Sequence, residues 1–338
     1  MIHLKSNNKQ QVISKYRSFL MGFSILWIIL YHAPFNFDNS TLTTFINRGY
    51  LGVDIFLLVS GYGLYFSIEK DNDIRHFYRK RFFRIIPEYW LVIFVCLLLS
   101  SEPLSIKKLL IEWSTLGYWV NGLPFYAWYI SLICLLYLTF PVIIHYFKKK
   151  PIKTFFTIIS LSIIFSTLTF AFYDKTRITF FFSHLPVFYT GTLIAWSSKN
   201  RRETFHSTKS KVITSFVVII ICAILTYIGN NHAYHYRDLW NPFICWIFSL
   251  GVVGLLISLA DCLDRIKYLR FINSIFTAIG YCSLELYIIH GDGYYNNVTQ
   301  YEGFISDKNL LTFLFTIVCF VLSWILYKLN KTFASIIK

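Results

Sequence analysis

An all-α, polytopic integral membrane protein is the fold class the sequence predicts, on three observations. The first is composition: the 338 residues are 56% hydrophobic and only 14% charged, against roughly 45–50% apolar and about 25% charged in soluble domains. The second is that apolar runs of about 20 residues, enough to cross a hydrocarbon core of about 30 Å, recur along the chain. They are continuous rather than alternating, which argues against a β-barrel. The third is the placement of the cations between those runs.

Ten spans follow in order. Phe19–Phe35 comes after a polar, basic segment and is followed by no small-residue cleavage site, so it reads as a retained helix rather than a signal peptide. Tyr50–Ile68 is Gly-rich and carries one acid, Asp54. Ile85–Ser100 starts beside Pro87, at the end of a basic cluster. Phe125–Phe147 and Thr154–Tyr173 flank the basic stretch Lys148–Lys153. The second half gives Phe180–Ser197, Val212–Gly229, Trp240–Ala260, Phe271–His290 and Leu310–Leu329. Residues 19–329 thus form one transmembrane domain, with tails at 1–18 and 330–338. The longest connection, Ser101–Pro124, spaces apolar and charged residues as a short amphipathic helix lying in the interface would. No internal repeat suggests an inverted-repeat transporter.

With the N-terminus inside, 25 of the 32 Lys and Arg fall in cytoplasmic segments. Seven lie outside: Arg48, Lys107, Lys108, Lys175, Arg177, Arg237 and Lys308. The positive-inside rule therefore puts both termini in the cytoplasm. It also accounts for the net charge of +15 without a nucleic-acid partner, the reading such a charge would invite in a soluble protein. Of the seven cysteines, Cys262 lies in a charged loop and the other six lie in apolar runs; none forms a CxxC pair. They read as small packing residues, not metal ligands.

A few ionisable residues interrupt the apolar runs, where their desolvation is costly. His32 lies near the outer end of the first span. It reads either as a functional imidazole or as an interfacial polar group hydrogen-bonded to a neighbour or water. Asp54 lies at a similar depth in the second span. It could orient His32 as a triad carboxylate orients its histidine, or be a helix-start acid favoured by the dipole. Arg81 and Arg84 share a helical face, with Arg79 and Lys80 adjoining. Their forked guanidinium groups suit phosphate oxygens, and plain cytoplasmic anchoring explains them as well. Glu285 falls mid-membrane and His290 near the outer end of the ninth span, with Tyr287 the better face-mate of His290. The two are weighed between a place in a site and, for His290, a cap beside Gly291. Beyond it, 291–304 (GDGYYNNVTQYEGF) is polar and aromatic and reads as an acceptor-facing surface.

Three stretches carry a family resemblance: ILYHAPF, then GYLGVDIFLLVSGYGL, then YRKRFFRIIPEYW. In order and at this spacing they resemble acyltransferase family 3, bacterial membrane acyltransferases that decorate surface glycans. AWYISLICLLYLTFPV around Trp128 and Tyr129, LPVFYTGTLIA around Gly191 and SLELYIIH ending at His290 are similar too, so the resemblance spans most of the chain. It implies a multi-pass protein of the bacterial cytoplasmic membrane. It implies a histidine of acyl transfer at His32, with Asp54 in the glycine-and-aspartate stretch. Donor-binding arginines would fall on Arg81 and Arg84, with Arg79 beside them. Trp128, Tyr129, Glu285, Tyr287 and His290 would line the acceptor site or the path to it.

The reaction so implied moves an acyl group, acetyl above all, from acyl-CoA to a hydroxyl of a surface or lipid-linked glycan. Acyl-CoA is a co-substrate, and no resident cofactor or metal is expected. The bilayer, the glycan acceptor and the donor are the expected partners. The sequence departs from the family at Met21, where many members carry an arginine; Arg17, one turn away, is its nearest substitute. A different class stays open: export or flipping of a lipid-linked glycan without acyl transfer, since polar residues at mid-depth suit a path as well as a reaction.

Overall fold

A computed structural model describes residues 12–35, 37–99, 105–121, 128–173, 176–200, 208–232, 237–291 and 307–336. All regular structure among them is helical. The elements are α1 (Val12–His32), α2 (Ser40–Ile46), α3 (Leu51–Lys70), α4 (Ile74–Leu99), α5 (Ile106–Trp113), α6 (Gly117–Asn121) and α7 (Trp128–Lys149). They continue with α8 (Pro151–Tyr173), α9 (Thr176–Asn200), α10 (Thr208–His232), α11 (Arg237–Arg265), α12 (Arg270–Tyr281), α13 (Ser283–His290) and α14 (Lys308–Ile336). Helix therefore reaches into both segments read as tails. The polar, aromatic loop expected to face the acceptor lies, from residue 292 on, outside the described residues.

Eight helices among the described residues are long and apolar enough to cross a membrane, or nine if a bent pair counts as one span. The expected count of ten is not reached, for two physical reasons. The first is α4, whose N-terminal half carries Arg75, Arg79, Lys80, Arg81 and Arg84, leaving only Ile85–Leu99 as an apolar stretch, with Glu88 inside it. The second is the expected ninth span, which is not continuous: α12 and α13 meet at 63°. Cys282 breaks the helix there with φ −104° and ψ 22°.

Burial separates a centre from a rim. In α3, 83% of the apolar window is buried inside the protein, against 17% in α8 and in α10. The two outer helices present bulky apolar side chains such as Phe156, Phe172, Ile220 and Leu225 to their surroundings, as lipid-facing helices do.

Two glycine crossings hold the centre. A Cβ on Gly22 of α1 would overlap the Phe276 carbonyl of α12, and one on Gly280 would overlap the Ser18 carbonyl in return. The same reciprocity joins α3 to α9, where Gly61 meets the Phe188 carbonyl and Gly191 the Leu58 carbonyl. Small residues let helix backbones touch where lipid supplies no hydrophobic drive for association. Charges gather at the end that holds the start of α1. There Lys15 pairs with Asp264 at 3.1 Å, Lys148 with Glu69 at 2.7 Å, and Lys199 also reaches Glu69. At the outer rim of α4, α5 docks by Trp90 and Trp113, whose indole N–H groups each donate to the other's backbone carbonyl at 2.9 and 3.1 Å.

Candidate active site

The glycine crossings also place the ionisable residues. His32 stands ten residues beyond Gly22, and His290 ten beyond Gly280. Because α1 and α12 run side by side and α13 continues from the bend, the two rings meet. Nδ1 of His32 lies 3.1 Å from Nε2 of His290, with the ring planes 27° apart and the centroids 5.2 Å apart, so the rings meet edge to edge. Nδ1 of His290 lies 2.8 Å from the Leu286 carbonyl one turn back. His290 is 1% exposed, whereas His32 is half-buried.

Asp54 does not orient His32. Its Oδ1 lies 3.5 Å from Nε2 of His184 on α9. The reason is the second crossing. Asp54 is two turns before Gly61, and His184 two turns before Gly191, so each faces the helix its glycine touches. His184 also places Nδ1 2.6 Å from the Phe180 carbonyl and packs between the Trp128 and Phe180 rings. Both members of this pair are buried.

From the His32–His290 pair a file of rings runs along the bundle. Tyr287 packs on His290 with centroids 5.5 Å apart, and Tyr129 on Tyr287 at 4.9 Å. The Tyr129 hydroxyl bonds to Ser60, and Tyr137, two turns along α7, lies near it. The guanidinium of Arg81 sits over Tyr137 at 5.6 Å and over Phe77 at 5.5 Å. Trp128 stands beside the file, edge-on to Tyr129 at 6.4 Å.

The far end of the file is cationic. Arg84 Nη1 meets Oε1 of Glu285 at 3.1 Å. Glu285 is fully buried, while the Arg84 side chain is 40% exposed and reaches inward to it. Glu88 adjoins Glu285 and is held by Asn330 of α14. Arg17 lies within electrostatic reach of Arg81 and Tyr129. Its guanidinium carbon would be 3.5 Å from a Cβ on Gly63, an ordinary contact, so the Arg17 head lies directly against α3 there. Met21, by contrast, packs against the apolar core. Arg79 is exposed on the outside of α4.

One buried donor of this cluster, Nε of Arg81, has no hydrogen-bond partner, whereas the adjoining Glu88 and Glu285 carboxyls lie within hydrogen-bond reach of each other. An unsatisfied buried donor calls for a partner, and an anion is one group that would satisfy it. A cleft of about 300 Å³ opens at the same end between the α3–α4 turn and α7, lined by Ile68, Asp71, Asp73, Phe77, Ile144 and Lys148. Phe77 is shared between its wall and the Arg81 guanidinium.

Among the residues picked out from sequence, His32 and His290 come together, Glu285 joins Arg84, and Tyr129 and Tyr287 belong to the ring file, with Trp128 beside it. His184, Glu88, Tyr137 and Asn330 were not among them. His184 and Glu88 carried the same signal as His32, an ionisable side chain inside an apolar run. Tyr137 and Asn330 carried none, since an aromatic in an apolar run and an amide at a helix end are ordinary.

No curated protein and no solved structure matches the chain. A match does come from a family model. The acyltransferase domain aligns over residues 19–328, which takes in both histidine pairs, the ring file and Arg81 and Arg84, and the protein is therefore a member of that membrane acyltransferase family.

Proposed function

We propose that this protein transfers an acyl group, acetyl above all, from cytoplasmic acyl-CoA to a hydroxyl of an extracytoplasmic or lipid-linked surface glycan. In this reading both termini and the arginine cluster face the cytoplasm, α4 supplies a tenth span through its apolar half, and the His32 end faces outward in a bacterial cytoplasmic membrane. The observation that carries it is the file of rings that runs from the half-buried His32 and its partner His290 towards the Arg81 guanidinium, whose Nε has no hydrogen-bond partner.

The chemistry follows from the parts. Arg81, Arg84 and Arg17 offer forked donors to the phosphates of the donor, a bidentate geometry that lysine lacks. The distance then matters. Arg17 and His32 are fifteen residues apart on one helix, about 22 Å, so the donor's pantetheine arm must extend along the Tyr137–Tyr129–Tyr287 file to bring its thioester to His32. There His32 acts as general base. It takes the proton of the acceptor hydroxyl as that oxygen attacks the thioester carbonyl. The carbon–sulfur bond breaks, and the same proton leaves with the CoA thiolate as a thiol. Asp54, turned to His184, serves in this scheme as a packing partner between α3 and α9 rather than as the orienting group of the base.

The test is label transfer from radiolabelled acetyl-CoA, with CoA release followed in parallel, by purified protein in lipid nanodiscs supplied with surface glycan. Labelled glycan with stoichiometric free CoA is expected. Binding and movement of a lipid-linked glycan with no CoA release would overturn the enzymatic reading in favour of export.

A further inference from the structure

The donor and acceptor atoms around the two facing histidines form an ordered series. The Leu286 carbonyl can only accept a hydrogen bond, so the nitrogen 2.8 Å from it, Nδ1 of His290, carries the proton. In a neutral imidazole one nitrogen donates and the other accepts, which leaves the lone pair of His290 on Nε2. That lone pair faces Nδ1 of His32 at 3.1 Å. Nδ1 of His32 is then the donor, and the lone pair of His32 stands on Nε2. The alternative, a cationic His290 donating from both nitrogens, places a charge in a site that is 1% exposed. Among the described residues no carboxylate contacts His290, and an unpaired charge in such a place is strongly disfavoured.

We infer that His290 is the positioning residue of His32: it fixes the Nδ1–H tautomer and ring orientation of the base through a carbonyl–imidazole–imidazole relay, the task a carboxylate performs in a catalytic triad. The inference rests on the acyl-transfer reading for its consequence but not for its geometry. Helix α13 supplies both halves of the device. Its last turn provides the Leu286 carbonyl, and the bend at Cys282 swings His290 over the end of α1. A neutral partner has one advantage in a lipid-embedded site: it orients the base without a second buried charge. It also sets a cost, because an imidazole stabilises the His32 cation of the transition state less than a carboxylate does.

Two substitutions separate positioning from packing. In His290→Gln the side-chain amide oxygen reaches about where Nε2 stands and can still accept from His32. In His290→Met the volume is kept and the acceptor is lost. Both are compared with the wild type in nanodiscs, after thermal melting has shown that each is folded. The first readout is nitrogen NMR of the labelled imidazoles. Wild type and His290→Gln are expected to show His32 protonated at Nδ1 with its lone pair on Nε2, and His290→Met to lose that preference. The second readout is steady-state transfer. His290→Met is expected to lower kcat by about 10²-fold with KM for acetyl-CoA unchanged, less than the roughly 10⁴-fold loss when a triad carboxylate is replaced. His290→Gln is expected to keep most of the rate. A wild-type His32 protonated at Nε2, a His290→Met protein with wild-type kcat, or equal losses in Met and Gln variants would each overturn the relay. If the wild type transfers no acyl group, the enzymatic reading fails by itself, and the NMR comparison still decides the relay.

Discussion

Two histidine pairs stand in this bundle, and they are built the same way. Each stands to one side of a crossing of reciprocal glycines, Gly22 of α1 with Gly280 of α12 and Gly61 of α3 with Gly191 of α9, although His290 itself lies on α13, past the bend. In each, one histidine presses Nδ1 on the carbonyl one turn back, Leu286 for His290 and Phe180 for His184, and thereby turns Nε2 to its partner. They differ in access. Asp54 and His184 are both buried, closed over by Trp128 and Phe180. The other pair ends in a half-buried His32 beside a ring file that leads to the arginines. The comparison teaches that a buried acid beside a histidine is not by itself the mark of a reacting centre. On the proposed reading the chemistry falls to the pair whose histidine is half-buried rather than closed over.

The sharpest way to break this comparison is to truncate one histidine from each pair. His32→Ala is expected to lower kcat by about 10²–10⁴-fold, the range of a lost general base, with melting temperature close to wild type. Transfer assays beside thermal melting check both halves, and near-normal transfer would remove His32 from the chemistry. Next in size is Arg84→Ala. It leaves the Glu285 carboxylate buried without its cation. Because Arg84 itself is partly exposed, the stability loss should fall between the values for surface and buried pairs, about 2–3 kcal/mol. KM for acetyl-CoA should rise with it, and Arg84→Lys should recover stability better than donor affinity, since lysine keeps the charge and loses the fork. Equal recovery of both by lysine would argue that the guanidinium geometry does not matter to the donor.

His184→Leu comes third and reverses the pattern of His32→Ala. Removing the ring leaves Asp54 without its partner at 7% side-chain exposure, a cost of about 1–3 kcal/mol, while kcat should stay near wild type. Were kcat to fall as it does in His32→Ala while the protein remained folded, the division of labour between the two pairs would be wrong.

Much of this was legible in the sequence, and what was not has a physical reason. Continuous apolar runs show that helices cross the membrane and roughly where. They do not show that Cys282 bends one of them, because a change of direction needs only a local shift in φ and ψ and no change in hydropathy. Depth along a helix is equally readable: His32, Asp54 and His290 all fall near one face of the bilayer by counting residues. Azimuth between helices is not. His32 and His290 are 258 positions apart and Arg84 and Glu285 201, and no spacing rule reaches so far. Depth alone therefore offers His32 as a partner for Asp54, although the face of Asp54 is that of Gly61 and so of α9. Glycines seven residues from an ionisable side chain were the available signal, readable only once it is known which helix each glycine touches.

That signal gives the smallest and most selective prediction. Gly61 and Gly63 lie one residue apart in α3 and face different structures. A Cβ on Gly61 would overlap the Phe188 carbonyl, an atom of backbone that cannot rotate away. A Cβ on Gly63 would meet the Arg17 guanidinium carbon at 3.5 Å, an ordinary contact with the far end of a flexible side chain. Alanine also favours helix over glycine by up to about 1 kcal/mol. Gly63→Ala should then be neutral or slightly stabilising, whereas Gly61→Ala should be clearly destabilising because it forces α3 and α9 apart. Any activity change in Gly63→Ala should appear in KM for acetyl-CoA, since the new methyl group touches Arg17 and, in the proposed reading, Arg17 belongs to the donor end. A fall in kcat with KM unchanged would mean that the donor end and the His32 end are not separable, and that the ring file between them transmits more than the position of a bound chain.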